Sequence, residues 1–527
     1  MAVYAASNWP SSDGKLVTNN TDSLFMGDQP FLRLLYKFIP VERHTSRTQF
    51  NRTSFTRETD HMLGLKRHQI LMLAVLVSGT FITILNQTVV SPALPSIMEE
   101  MKVSAATAQW LTTGFTMVNA VMIPITAYLT DRFTIRRLFL IAMSIFLVGT
   151  LLAAWAPMFV VILAGRLIQA MGAGVLMPMV MTVLLLTFPV ERRGTAMGIF
   201  NVIIAFGPSF GPVVAGLIID RASWHIIFLA VAICVFIVII GAFFFLKTGP
   251  ANNPNMEGID KPSVVMSTLG FGGMLYGFSA IGNSGFSVEA GIAVVFGLIV
   301  TILFFRRQLS MEKPMLQIRV LKTPRFALGT GVSMMVQGAT MANAVLIPIY
   351  VQTICGYSAT VSALITLPGA MMMGVVGLVS GPLFDKYGPR ALVITGLSLL
   401  TVGTILMSLL DTTSSMVYVA CVMCGRFMGM SMVNMPITTW GMNALDNRVI
   451  NHGNAVNNTL RQVAGSLGTA LVISAYSLFS GAHTSMMTTQ SQMAGMNFAF
   501  AIQAVAIAAT LILAIVKVKE DKAASKQ

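Results

Sequence analysis

Two stretches of the 527-residue chain bring together side chains able to do chemistry. "LNQTVVSPALP" (85–95) sets Asn86, Gln87 and Thr88 in a row inside a long apolar run. "AGRLIQAMG" (164–172) sets Arg166 and Gln169 three residues apart in another. Residues three apart share one face of a helix, so Arg166 and Gln169 form a polar patch of donors with one acceptor. Asn86 can hydrogen-bond but cannot titrate. If these runs lie in lipid, an arginine there costs between about 3 and more than 10 kcal/mol. Arg166 is therefore expected to face the bundle interior or a wet cavity, at a depth similar to that of Asn86. Arg426, in "CGRFMGMSMVNMP" (424–436), mirrors Arg166. Gln87 and Asn119 are further polar candidates for the same pathway.

The elements that must position these groups follow from composition. The chain is 55% hydrophobic and only 10% charged, against about 25% charged in soluble domains. Fourteen apolar runs are long enough to cross about 30 Å of hydrocarbon. They fall near 70–91, 106–128, 138–155, 158–184, 195–219, 226–246, 264–284, 289–306, 326–353, 361–384, 390–410, 416–441, 456–479 and 497–518. Lipid offers no partner for backbone polar groups, so repeated runs imply an all-α membrane protein. The net charge of +14 does not point to nucleic acid, because 29 of the 34 Lys and Arg fall in the tails and alternate loops. The opposite loops hold two, Lys102 and Arg221. This is the positive-inside pattern, with both termini cytoplasmic.

An internal repeat divides the runs. "AYLTDRFTIRRL" (127–138) aligns with "GPLFDKYGPRAL" (381–392), matching Asp131 to Asp385, Arg132 to Lys386 and Arg136 to Arg390. "AGRLIQAMGAGVLMP" (164–178) aligns with "CGRFMGMSMVNMP". The expected organisation is a cytoplasmic, disordered tail at 1–65, a six-helix bundle at 66–246, a linker with two extra helices at 247–325, a second six-helix bundle at 326–518 and a short tail at 519–527. "FLRLLYKFIP" (31–40) is long enough to lie on a membrane surface, although a disordered tail is the simpler expectation. The four cysteines, including "CVMC" at 421–424, read as small apolar helix residues rather than metal ligands. No spacing suggests catalysis, a cofactor or an ATP-binding loop.

Six stretches in order carry a resemblance. "LNQTVVSPALP" resembles a first-helix signature that normally reads L-D-x-T-x-V-N-x-A-L-P, and "QWLTTGF" (109–115) resembles the start of the second helix. "DRFTIRR" resembles a cytoplasmic-loop signature, with Thr134 and Ile135 in place of Gly and Arg. "RLIQAMGAGVLMP", "GPSFGPVVAG" (207–216) and "GNAVNNTLRQVAGSLGTAL" (453–471) resemble the fourth-, fifth- and thirteenth-helix patterns. By these the chain is similar to the fourteen-span drug:proton antiporter branch (EmrB/QacA type) of the major facilitator superfamily. The resemblance implies the major facilitator fold, two six-helix bundles plus two extra central helices, 14 transmembrane helices in all.

It also implies a secondary exporter of small amphipathic substrates driven by protons, without enzyme activity, embedded in the lipid bilayer of the plasma membrane; the oligomeric state stays open, a monomer being the simplest expectation. Rival readings are an exporter of an endogenous metabolite or anionic amphiphile, a lipid translocator and a membrane sensor. The resemblance places a proton-carrying Asp at position 86, where this chain has Asn, and no span holds a deep acid to replace it. Asp131 with Arg132, Arg136 and Arg137 reads as a cytoplasmic latch, and Asp385 with Arg390 as its counterpart. Gly207 and Gly211 share a face, and Pro208 and Pro212 each remove an amide donor; together they suggest a closely packed gating helix where the halves meet. Arg461 lies near the cytoplasmic end, where it can serve gating or simply snorkel.

Overall fold

The structure, a computed structural model, describes residues 67–219, 221–246, 260–284, 287–480 and 489–518. Expectations for the two tails fall outside these residues. The described residues form fourteen long helices and no strand. In chain order they are α1 (Arg67–Met101), α2 (Ala105–Arg132), α3 (Ile135–Ala154), α4 (Phe159–Thr187), α5 (Arg193–Ile219) and α6 (His225–Phe245). Then come α7 (Lys261–Ser284) and α8 (Val288–Ser310). The last six are α9 (Pro324–Pro348), α10 (Ala359–Tyr387), α11 (Pro389–Ser408), α12 (Met416–Met442), α13 (Ile450–Ser480) and α14 (Thr489–Lys517).

Twelve of them are long and apolar enough to cross a membrane by length and composition. The other two are α5 and α13, of 27 and 31 residues. In α13, Asn451, Asn454, Asn457 and Asn458 are all buried. Its low hydropathy reflects polar groups turned against other helices, not toward lipid.

Local chemistry starts and stops these helices. Ser104, Thr134, Ser287, Ser358 and Ser415 each accept a first-turn amide at the start of α2, α3, α8, α10 and α12, satisfying donors a helix start leaves unpaired. At the turn between α10 and α11, Gly388 takes φ +76°, a left-handed conformation glycine adopts freely. One expectation fails: α1 does not stop near 91 but runs through Pro92 and Pro95 to Met101. Ala93 and Ile97, beyond the first proline, are buried against Ala153, Ala154, Ile162 and Trp224. That burial offsets the donors the prolines remove.

Packing repeats between the halves. α1 packs along α5, α2 and α3 along α4, and α3 along α6. Likewise α9 packs along α13, α10 and α11 along α12, and α11 along α14. A Cβ at Gly165 would stand 2.7 Å from Gly149 O, and one at Gly396 2.7 Å from Gly429 O, so α3–α4 and α11–α12 meet at equivalent glycine crossings. α7 and α8 pack on each other, and α7 also touches α2 and α13. At their base Arg307 donates twice to Asp260, 2.9 Å each. This holds the carboxyl of Asp260 below the usual carboxylate range, so the pair is intact above that range and lost only as pH falls well below it.

Candidate functional site

Four helices of the first half build a dry polar node. Asn86 on α1 and Arg166 and Gln169 on α4 are each 0% exposed. Arg166 Nη1 donates to Gln169 Oε1 at 2.9 Å and to Asn86 O at 3.3 Å, while its Nε donates to Leu111 O on α2 at 3.2 Å. Asn86 Nδ2 donates to the same Gln169 oxygen at 3.3 Å. Gln169 Nε2 donates to Thr150 Oγ1 on α3 at 2.8 Å. The guanidinium lies 4.1 Å from the centre of the Phe115 ring, a cation–π contact.

The node contains no carboxylate. Dipoles and one aromatic face meet the charge of Arg166. Arg166 Nη2 and Asn86 Oδ1 are buried without hydrogen-bond partners, each costing about 1–3 kcal/mol. Sequence reasoning left two places for this patch, the bundle interior or a wet cavity; the structure packs it in the interior of one half, closed to water. Gln87 and Asn119 remain partly exposed and stand outside the node.

Arg426 on α12 is the counterpart in the second half. It is 4% exposed, its stem lies where Gly403 leaves room, and its guanidinium is 5.9 Å from the Phe500 ring. Its Nη1 is buried without an acceptor. Arg461 does not snorkel: its Nη2 donates to Gln337 Oε1 on α9 at 2.9 Å.

A second polar system joins the halves at the end of the bundle that carries the basic turns. Asp385 on α10 accepts Gly194 N and Thr195 N at 2.8 Å each and Thr195 Oγ1 at 2.5 Å. A carboxylate at the start of α5 meets the positive end of its dipole. On the other side of the seam, Asp131 accepts Asn451 Nδ2, and its Oδ2 lies 3.0 Å from His452 Nε2. The same pattern thus occurs twice, α10 to the start of α5 and α2 to the start of α13. Arg193 adds bonds to Asn443 and Asn447 at 3.1 and 3.0 Å, Asn454 to Pro178 O at 2.7 Å and Asn201 to Ser431 at 2.7 Å.

These partners correct the latch read from the sequence. Asp131 is held across the seam by Asn451 and His452, where basic residues of its own turn were expected to hold it. Arg136 Nη2 donates to Phe243 O on α6 at 2.9 Å, Arg132 Nη1 to Tyr128 Oη at 3.0 Å, and Arg137 is exposed. Arg390 is exposed as well, because the start of α5 takes the Asp385 carboxylate.

Gly207 and Gly211 also land elsewhere than expected. A Cβ at Gly207 would stand 2.6 Å from Ile84, and one at Gly211 2.9 Å from Leu85 O, so this face of α5 packs on α1 of the same half. Close approach between halves falls instead at Gly194 and Gly198. The Gly-Pro steps have a local logic. Pro212 has no N–H, which leaves the carbonyl of Pro208 without its helical donor, and the Thr88 hydroxyl meets it at 3.2 Å, its one proton shared with Leu85 O at 3.2 Å. Pro178 similarly frees Gly174 O, which Thr126 Oγ1 meets at 3.4 Å. Thr88→Val is expected to cost about 1 kcal/mol, read by thermal unfolding in detergent, while Thr88→Ser stays at the wild-type value.

The sequence reading passed over His452, Asn451 and Thr150. The run "INHGNAVNN" (450–458) held a signal: it is too polar for a helix facing lipid, so its side chains had to be matched inside.

Comparison with known proteins agrees with this architecture. Residues 76–469 match the model of the Major Facilitator Superfamily. The MFS-type transporter YcnB of Bacillus subtilis, itself uncharacterized, is 38% identical over 457 residues, covering 86% of this chain and 96% of YcnB. The lincomycin resistance protein LmrB of the same organism is 35% identical over 425 residues, covering 80% of this chain and 88% of LmrB. Among solved structures, the human organic anion transporter MFSD10 (TETRAN) superposes with a TM-score of 0.61 at 12% identity, over 85% of this chain and 99% of that one; this is a likeness of fold.

Proposed function

The chain belongs to the Major Facilitator Superfamily, and we propose on that premise that this transporter is a secondary active exporter of amphipathic drugs or antibiotics. It works by alternating access between a first half at 66–246 and a second at 326–518, with the helices of 247–325 beside them. The basic end faces the cytoplasm, and both termini lie there. The carrying observation is the node at Arg166: a buried guanidinium without a counter-ion costs several kcal/mol, and the packing of α1 to α4 supplies no structural need for its charge. The relation to a lincomycin resistance protein supports a drug as cargo.

Protons moving inward are the drive in this reading, each contributing about 2.3 kcal/mol per 100 mV. Position 86 cannot carry them, since an amide does not titrate. Asn86→Asp is expected to steepen the pH dependence of export and shift preference toward cations, because it gives Arg166 a titratable partner; an unchanged pH profile and substrate panel would set position 86 outside the pathway.

The test of the whole reading is uptake of dyes and antibiotics into everted membrane vesicles. Accumulation should collapse when the pH gradient is dissipated. Vesicles that accumulate none of a broad panel would sink the drug-exporter reading. A second reading, export of an anionic amphiphile, draws on Arg166 and Arg426, two buried guanidinium groups without carboxylates. Accumulation of organic anions in preference to cations in the same vesicles would favour it.

A further inference from the structure

The basic-end seam contains a buried titratable pair that bridges the halves, His452 and Asp131. His452 is the third residue of α13. Its Nε2 lies 3.0 Å from Asp131 Oδ2 on α2, and Asn451 Nδ2 donates to the other oxygen of that carboxylate. Its Nδ1 accepts the backbone N–H of Gln317 at 3.3 Å. Gln317 precedes the 3-10 turn Ile318–Lys322, in the segment joining α8 to α9. One ring therefore ties together the first half, the second half and the connection between them.

The partners also assign the ring's protonation. A nitrogen that accepts a hydrogen bond carries no proton, so Nδ1 is bare and Nε2–H donates to Asp131. The closed seam is thus built around a neutral imidazole. A second proton has one place to go, Nδ1, where its N–H would meet the N–H of Gln317 head on.

Two further features surround the ring. His452 lies in the first turn of α13, where the helix dipole disfavours a cation. The neighbouring elements also carry mostly cations: Arg132 on α2, Lys261 on α7, Arg319 and Lys322 on the 3-10 turn, Arg325 on α9 and Arg448 ahead of α13. Against them stand Asp446 and an Asp260 already paired with Arg307. Asp131 is the one carboxylate directly against the ring, and Asn451 donates to its other oxygen.

We propose that His452 is a proton-binding residue of the transport cycle, and that protonating it releases the seam at the basic end. This rests on the alternating-access reading above. Protonation at Nδ1 sets two N–H groups head to head, so the ring turns away from Gln317; that frees the α8–α9 connection and carries Nε2 out of line with Asp131 Oδ2, and α13 can part from α2. In an exporter driven by inward protons this has the right sign: the protonated protein opens toward the cytoplasm, and the deprotonated protein closes there. It also gives a chain without a titratable group at position 86 a proton site placed on the moving seam itself.

The test is a label-distance measurement that needs no substrate, so it fails or succeeds separately from the vesicle uptake that tests the exporter reading. Spin labels replace Val190 and Tyr387, both exposed and on opposite halves near the basic end, in a cysteine-free chain in lipid nanodiscs. As pH falls from about 8 to 5, the range in which imidazole titrates, the wild-type distribution should move from short to long distances. His452→Gln keeps one acceptor for Gln317 and one donor for Asp131 but cannot take a proton; it should stay closed throughout. His452→Ala, with neither tie, should be shifted toward long distances at every pH. A wild-type distribution that does not change across this range overturns the proposal. So does a transition that persists in His452→Gln and disappears in Asp131→Asn, which would place the proton on the carboxylate.

Discussion

Arg166→Leu is expected to lower export at least about 100-fold while the purified protein unfolds at or above the wild-type temperature. The two halves of this expectation have different sources. Of the oxygens that Arg166 serves, Leu111 O and Asn86 O lie within helices and retain helical amide donors. Gln169 Oε1 keeps the amide of Asn86 at 3.3 Å. Little is therefore stranded by removing the guanidinium. What disappears is a buried charge with no counter-ion, whose desolvation costs several kcal/mol. Replacing such a group by an apolar one of similar volume is often neutral or stabilising. A residue that strains the fold and is nonetheless present serves the transport cycle, so the loss should appear in flux, where 100-fold corresponds to about 2.7 kcal/mol. Thermal unfolding in detergent and vesicle uptake read the two halves separately. Full export by the leucine variant would remove Arg166 from the pathway.

Gly198→Leu is the second large effect, and it acts on closure rather than on the node. A Cβ at Gly198 would stand 2.7 Å from Gly377 O and 3.2 Å from Gly381 Cα, and one at Gly381 2.6 Å from Gly194 O. Here α5 and α10 meet backbone to backbone across the seam, and the obstacles are main-chain atoms that cannot rotate aside. A leucine forces the helices apart one turn from the bonds that Gly194 and Thr195 give Asp385. The expected variant is held open at the basic end, with export reduced about 100-fold or more while substrate binding from that end survives. In the label-distance measurement its distribution should stay long at every pH. Gly216→Leu is the control on the same helix, since no atom lies within 4 Å of a Cβ there. Wild-type export by Gly198→Leu would mean that this part of the seam need not close.

That the chain is a helical membrane protein of this superfamily follows from its residues alone. Apolar length, the period of small residues and the clustering of cations are local sums over neighbouring positions, and lipid leaves a long apolar run no alternative to a helix. The exceptions were legible for the same reason. Arg166, Gln169 and Asn86 stand out because each is costly where it sits, whatever surrounds it.

Partnership is not a local sum, and the tertiary structure alone decided it. The sequence offered Asp131 three cations within six residues as neighbours, Arg132, Arg136 and Arg137 of its own turn; the packed halves gave it Asn451, 320 residues away. Gly207 and Gly211 announced a close helix contact without saying that α1 would fill it. The first apolar run ended near 91, and burial against α3 and α4 carried α1 on through Pro92 and Pro95. Nothing next to His452 in the chain marks Asp131 as its partner, yet it lies in the seam against that carboxylate. In each case the deciding term was the meeting of two surfaces distant in the chain, where hydrogen-bond geometry and close packing select one partner among several that composition allows.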